Sequence, residues 1–389
     1  MSNSPFILVH GIFGWGESEG ANKFFPYWGT TTGDSLKYLR QQGHEVYSAS
    51  VAPLSGVWYT ACELYAQLTG TTVDYGEYHS SLCGQRRFGR TYEKPVFEDW
   101  SENKKIHIIG HSFGAATVRM FAHILTHGAP EEVSCSGKEN VSPFFLGGHE
   151  NLLASVTSIC GSLNPTKTFG VAQKYKLLSL IKNTLMYGAA ILSRTPLDGK
   201  IVDVRFERIG MNNTPGKKDR YPLRKVFEIE KKDIDAVYKN LSPEGLQRLN
   251  DIIDISPNTP FISYPFNFVK QKKNSKLITF DTYFPLLYAI TSLIFFDGHI
   301  SGRGTDKIHD GLLEIESAEH PDDEPFTRYN PEKGLQKGMW NIMPLTFADH
   351  GMPIGLFGSK KETRDFLNNV FNFLEKEERR AKKAEKSTQ

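Results

Sequence analysis

Ile106-His107-Ile108-Ile109-Gly110-His111-Ser112-Phe113-Gly114-Ala115-Ala116-Thr117-Val118-Arg119-Met120-Phe121-Ala122 decides the fold class of this chain. An apolar run passes through the pentapeptide G-x-S-x-G directly into a helix-forming stretch. Strand, sharp turn and helix follow one another without a linker. A serine at the apex of such a turn takes strained backbone angles that push its hydroxyl away from the sheet. The flanking glycines are needed because a side chain there would collide with the neighbouring strand or helix. Ser112 is therefore the candidate nucleophile.

The rest of the chain repeats the rhythm. Phe6-Ile7-Leu8-Val9 reads as a buried strand and runs into the glycine-rich loop His10-Gly11-Ile12-Phe13-Gly14. Residues 33–42 suit a helix, with Gly43 as its stop. Residues 45–51 alternate toward a strand, and 58–68 suit a helix. A helix over 115–126 leaves the turn, and strands are expected over 153–159 and 260–264. Strands alternating with helices mean a mostly parallel sheet covered on both faces. Two stretches interrupt the alternation. Residues 166–239 read as a large insertion, and 266–303 have mixed character. The last helix, 361–380, carries Phe366, Leu367, Val370, Phe371 and Leu374 as one apolar stripe. The charge run from Glu375 onward reads as a solvated helix end or disordered tail. The whole chain, 1–389, reads as one domain.

Composition narrows the function classes. The chain has 389 residues, 39% hydrophobic and 12% aromatic, enough for a substantial core. A net charge of +2 gives no pull toward nucleic acid or anionic lipid. Four scattered cysteines, Cys62, Cys83, Cys135 and Cys160, show no C-x-x-C spacing. The longest apolar stretch, 177–192, is interrupted by Lys182 and Asn183 and is too short and polar to span a bilayer. No leader is visible before the first strand, so the expectation is a cytoplasmic protein, or a secreted one if this is a mature form. Nothing in the sequence sets an oligomeric state.

A serine is a poor nucleophile without a base, and the base needs an acid to hold its tautomer. After a turn of this kind the chain order is serine, acid, histidine. His350 lies in a loop just ahead of the last helix and is the expected base. His320 competes, but it lies only ten residues beyond the best acid position. Asp306, Asp310, Glu314, Glu316, Asp322 and Asp323 all fall in plausible loop. Gly311, which would let the loop turn and present the carboxylate, favours Asp310, but local pattern leaves the acid open until the family resemblance below is added; Asp306 is second. A developing oxyanion needs preorganised N–H donors. Phe113, the residue after the serine, and Ile12, in the loop after the first strand, are the expected pair.

Several stretches together resemble the staphylococcal- and bacillus-type triacylglycerol lipases. They include His10-Gly11-Ile12-Phe13-Gly14-Trp15-Gly16, Tyr27-Trp28-Gly29, Gly33-Asp34 and Val51-Ala52-Pro53-Leu54-Ser55. Ala61-Cys62-Glu63-Leu64-Tyr65-Ala66-Gln67-Leu68, Arg87-Phe88-Gly89-Arg90 and the serine turn follow. Gly147-Gly148-His149, Ser256-Pro257-Asn258-Thr259, Asp310-Gly311, Lys337-Gly338-Met339-Trp340-Asn341 and Asp349-His350 complete the set. The match is dense over about the first 160 residues and patchy beyond. The resemblance implies an α/β-hydrolase fold, the triad Ser112, Asp310 and His350, and the oxyanion donors Ile12 and Phe113. It also implies a serine carboxylester hydrolase that needs no cofactor and acts on lipid esters at a lipid–water interface. A phospholipase or acyltransferase would use the same triad, and a silent lipid-binding protein is the reading from another class.

The departures from the family concern metal. Its zinc ligands are two aspartates and two histidines. His79 matches one histidine and Asp235 one aspartate, while Tyr59 and Gln85 stand at the other two positions. Two such ligands do not make a structural zinc site, which wants four. The family's acidic calcium ligands are replaced by Met352 and Phe357, which offer no oxygen. No metal is therefore expected. Residues 175–192 fall where the family carries a mobile lid helix, and their apolar face would cover a lipid-binding groove.

Overall fold

The computed structural model describes residues 4–166, 169–170, 173, 203, 205, 228, 231–271, 278–280, 308–356 and 358–388. The expected lid at 175–192, most of the insertion at 166–239, and Asp306 lie outside them.

Seven strands form one sheet. They are β1 (Phe6–Val9), β2 (Val46–Ala49), β3 (Ile106–His111), β4 (Leu153–Ile159), β5 (Phe261–Tyr264), β6 (Phe326–Arg328) and β7 (Trp340–Ile342). Their order is β6-β7-β5-β4-β3-β1-β2, and every pairing is parallel. β1 and β3 to β5 are buried almost throughout, as near-continuous apolar runs require when helices cover both faces. Within the described residues the expected strands and helices are present, with ends shifted by one or two residues except for the last helix, which runs eight residues beyond its expected end. β6 and β7 were not expected. β6 is three residues long with Phe326 exposed at the sheet edge, and so short a strand leaves no periodic signal.

The helices divide between the two faces. α1 (Ser35–Gln41) is capped by Asp34, whose side chain accepts from the N–H of Lys37 at 3.0 Å. It lies with α4 (Lys360–Thr388) on one face, over Phe6, Leu8, Ile109, Ile159 and Ile262. α2 (Val57–Thr69) and α3 (Gly114–His127) lie on the other, over Ile7, Val9, Ile108 and Val156. Alternate residues of one strand thus feed two cores. Phe371 of α4 stacks on Phe6 at 4.0 Å between ring centroids. Burying a side chain of that size contributes about 1.5–3 kcal/mol.

The charge run after Glu375 is not disordered: α4 continues through it, with Lys376, Arg379, Lys383 and Glu385 exposed as a solvated helix end. Glu375, Glu377 and Glu378, however, face the protein. His44 donates to Glu375 at 2.8 Å, the Leu335 N–H donates to Glu377 at 3.0 Å, and Ser4 donates to Glu378 at 2.6 Å. The reason is helical geometry. Glu375 follows Phe371 by four residues, and Glu377 and Glu378 follow Leu374 by three and four, so all three extend the buried stripe.

Candidate active site

The chain leaves β1 for β2 on one side and returns for β3 on the other. Ligands in open parallel sheets bind outside the carboxyl ends of the strands at such a reversal. His10 to Gly14 follow β1 there, and Ser112 follows β3. Ser112 has φ 55°, a left-handed conformation that costs a non-glycine residue about 1–3 kcal/mol. The turn is held by its neighbours: the Ser112 N–H donates to the Ile159 carbonyl at 3.0 Å. A Cβ on Gly110 would come within 2.3 Å of the Gly114 carbonyl oxygen, and one on Gly114 within 2.6 Å of those of Val9 and His10. Only glycine lets strand and helix approach this closely.

Ser112, His350 and Asp310 meet in a line. Ser112 Oγ lies 2.9 Å from His350 Nε2, and His350 Nδ1 lies 2.6 Å from Asp310 Oδ2. A carboxylate only accepts, so Nδ1 carries the proton and Nε2 is left to accept from the serine hydroxyl. The other oxygen of Asp310 accepts from the N–H groups of Leu312 and Leu313, at 2.9 and 2.8 Å. The His350 N–H donates to the Asp310 carbonyl at 2.9 Å, tying the two loops together. Asp310 is 1% exposed and His350 6%. His320 is elsewhere, stacked on Phe326 with ring centroids 3.8 Å apart.

Beside the serine, the Phe13 N–H is taken by the Pro53 carbonyl. The N–H groups of Ile12 and Phe113 have no backbone partner among the described residues. A Cβ on Gly11 would reach Ser112 Cβ at 3.0 Å, so the loop carrying Ile12 lies directly against the serine. Sequence reading missed two neighbours, Tyr27 and His111, whose side chains bond to each other at 2.8 Å. Both lay in quoted motifs, but residues 84 apart give no local sign of contact.

Residues 2–389 match the family described as lipase-like, C-terminal domain. The chain belongs to this family. A lipase of Staphylococcus epidermidis is 29% identical to this lipase-like chain over 387 residues, covering 96% of it and 53% of the relative. The crystal structure of Staphylococcus hyicus lipase shares 28% identity at a TM-score of 0.79, covering 97% of each chain. The structure of EstA from Clostridium botulinum shares 28% at 0.73, covering 96% of this chain and 87% of that one. The fold is that of the α/β-hydrolases. The chain spans about half the length of the curated relatives it matches.

At the positions where the resemblance places the family's zinc ligands, this chain holds a hydrogen-bonded network around two carboxylates. Asp233, fully buried and not anticipated from sequence, accepts from the Tyr59 hydroxyl at 3.0 Å and the Gln85 amide at 2.6 Å. It also accepts from the Asp235 N–H at 2.9 Å. Asp235 pairs with the Arg248 guanidinium on one oxygen and with His79 Nε2 at 3.4 Å on the other. Trp58 stacks on the His79 ring at 4.6 Å. A metal needs free lone pairs, and here those of both carboxylates point at N–H and O–H donors. This donor set does not fit zinc. The calcium position fits no better: Met352 lies in an apolar cluster, and Phe357 is outside the described residues.

A strong chelator is therefore expected to leave the melting temperature unchanged, whereas Arg248→Ala, which strips the cation from Asp235, lowers it. Elemental analysis finding about one zinc per chain, with a sharp drop in melting temperature on chelation, would contradict this.

Proposed function

We propose that this chain is a serine carboxylester hydrolase of the triacylglycerol lipase type. The observation that carries the reading is the continuous hydrogen-bonded line from Ser112 Oγ through His350 to Asp310 Oδ2. Ser112 Oγ attacks the ester carbonyl carbon while His350 Nε2 takes the hydroxyl proton. The carbonyl π electrons move onto oxygen, and the N–H groups of Ile12 and Phe113 stabilise that oxyanion. The tetrahedral centre collapses, the C–O bond to the alcohol breaks, and His350 returns the proton to the leaving alcohol. Water then repeats the sequence on the acyl-serine and releases the fatty acid. Asp310 holds the imidazole in the productive tautomer and stabilises its positive charge when it forms.

Exposed apolar side chains support a substrate at a lipid–water interface. Phe13 is 41% exposed, Phe24 78% and Phe25 60%, all on or just after the loop carrying Ile12. Ile308 lies two residues before Asp310 and Phe347 three before His350, both exposed as well. The loops that hold the site thus also present apolar surface, the kind that meets lipid. The names of the Staphylococcus epidermidis and Staphylococcus hyicus relatives, lipases both, point the same way. Among the described residues no helix is long and apolar enough to cross a membrane.

The proposal also holds the chain to be one domain, since both apolar cores share a single sheet. Release of fatty acid from emulsified triacylglycerols and soluble esters of graded chain length tests the activity. A folded protein that cleaves no ester on that panel would overturn it.

A further inference from the structure

We propose that Tyr27 and His111 form a positioning relay that locks the oxyanion loop to the catalytic base. The inference rests on the hydrolase reading above and adds two residues to it. Gly11 N–H donates to Tyr27 Oη at 2.9 Å, and Tyr27 Oη lies 2.8 Å from His111 Nδ1. His111 Nε2 lies 3.0 Å from the backbone carbonyl of His350. One end of this chain of bonds is the residue before the oxyanion donor Ile12. The other is the backbone of the base. Its third residue, His111, is joined covalently to Ser112.

The direction of every bond is forced. A carbonyl only accepts, so His111 Nε2 must carry a proton. Burial above all lowers the His111 pKa from 6.5 to about 3, so the ring stays neutral and has a single N–H. Its Nδ1 must then accept, and only the Tyr27 hydroxyl is there to donate. The hydroxyl oxygen is left to accept from Gly11. Tyr27 and His111 are 6% and 2% exposed, so these bonds are shielded from bulk solvent. The three loops follow β1, β3 and β7 and come from distant parts of the chain. Small displacements at such a site are costly, because the oxyanion donors act only at the right distance from the serine.

The test is steady-state kinetics on a short soluble ester. Tyr27→Phe keeps the ring and its packing and removes only the hydroxyl. It should lower kcat by roughly 10- to 100-fold, with KM within about twofold, because the lost bonds act on transition-state geometry. His111→Gln can still present an N–H to the His350 carbonyl and should recover part of the activity lost in His111→Leu. Tyr27→Phe combined with His111→Leu should lose little more than the worse single variant, since the bonds act as one unit. The melting temperature of each variant separates misplacement from unfolding. Turnover that depends on Ser112 in the wild-type protein is measured first, and its absence would overturn the functional reading and the relay's role together. With that turnover present, a folded Tyr27→Phe that keeps half or more of wild-type kcat would overturn the relay alone. Multiplying losses in the double variant would do the same.

Discussion

Ser112→Ala should reduce ester hydrolysis by on the order of 10⁴-fold or more while the protein remains folded. The serine hydroxyl bonds to His350 Nε2 and to no other described side chain, so its removal deletes the nucleophile and little else. Alanine meets the same backbone strain at φ 55°, which the Ile159 carbonyl and the flanking glycines already hold in place. Stability should therefore change by less than about 1 kcal/mol, within the ordinary range for a change that leaves packing alone. The assay pairs ester turnover with a thermal melt. Near wild-type turnover in the folded variant would remove Ser112 from the mechanism. Loss of folding would show instead that the hydroxyl is needed to hold the turn.

Asp310→Asn should be the next most damaging change, costing on the order of 10³- to 10⁴-fold in kcat. The carboxylate accepts on both oxygens, from His350 on one side and from the N–H groups of Leu312 and Leu313 on the other. An amide can satisfy only one side. With its oxygen toward the two N–H groups, its NH₂ faces His350 Nδ1 and forces that nitrogen to accept. The proton then moves to Nε2, which can no longer take one from Ser112. With the amide reversed, the NH₂ meets two buried N–H donors and the loop must shift. Either outcome disables the base with no change in side-chain size. Kinetics above and below neutrality, with a melt as control, check it. Activity within tenfold of wild type would shift the acid's role to another carboxylate.

Much of the site was legible because its parts are local. The sharp turn is written in five consecutive residues, and close packing of strand on helix demands its two glycines. The oxyanion loop follows directly from the first strand. Candidate triad members came from chain order, which reflects where loops leave successive strands. Local pattern did not separate Asp310 from its acidic neighbours without the resemblance to a family. Each of those carboxylates reads as loop from sequence alone, and what singles out Asp310 is that the fold brings it to His350. The acids of the last helix were misread for a similar reason. A charge run signals solvent unless its residues continue a buried stripe, and that depends on what lies opposite.

The sequence by itself determined the alternation of strands and helices, the strained serine and its place at the carboxyl end of a parallel sheet. These follow from periodicity and steric exclusion within a few residues. The tertiary structure alone decided which groups satisfy one another across the fold. It brought Tyr27 to His111, and it turned the donors of Tyr59 and Gln85, the two departures from the family's zinc ligands, onto Asp233. It also set Arg248 against Asp235. Buried polar atoms must find partners, and the partner each one finds depends on how distant segments pack, which no local pattern encodes.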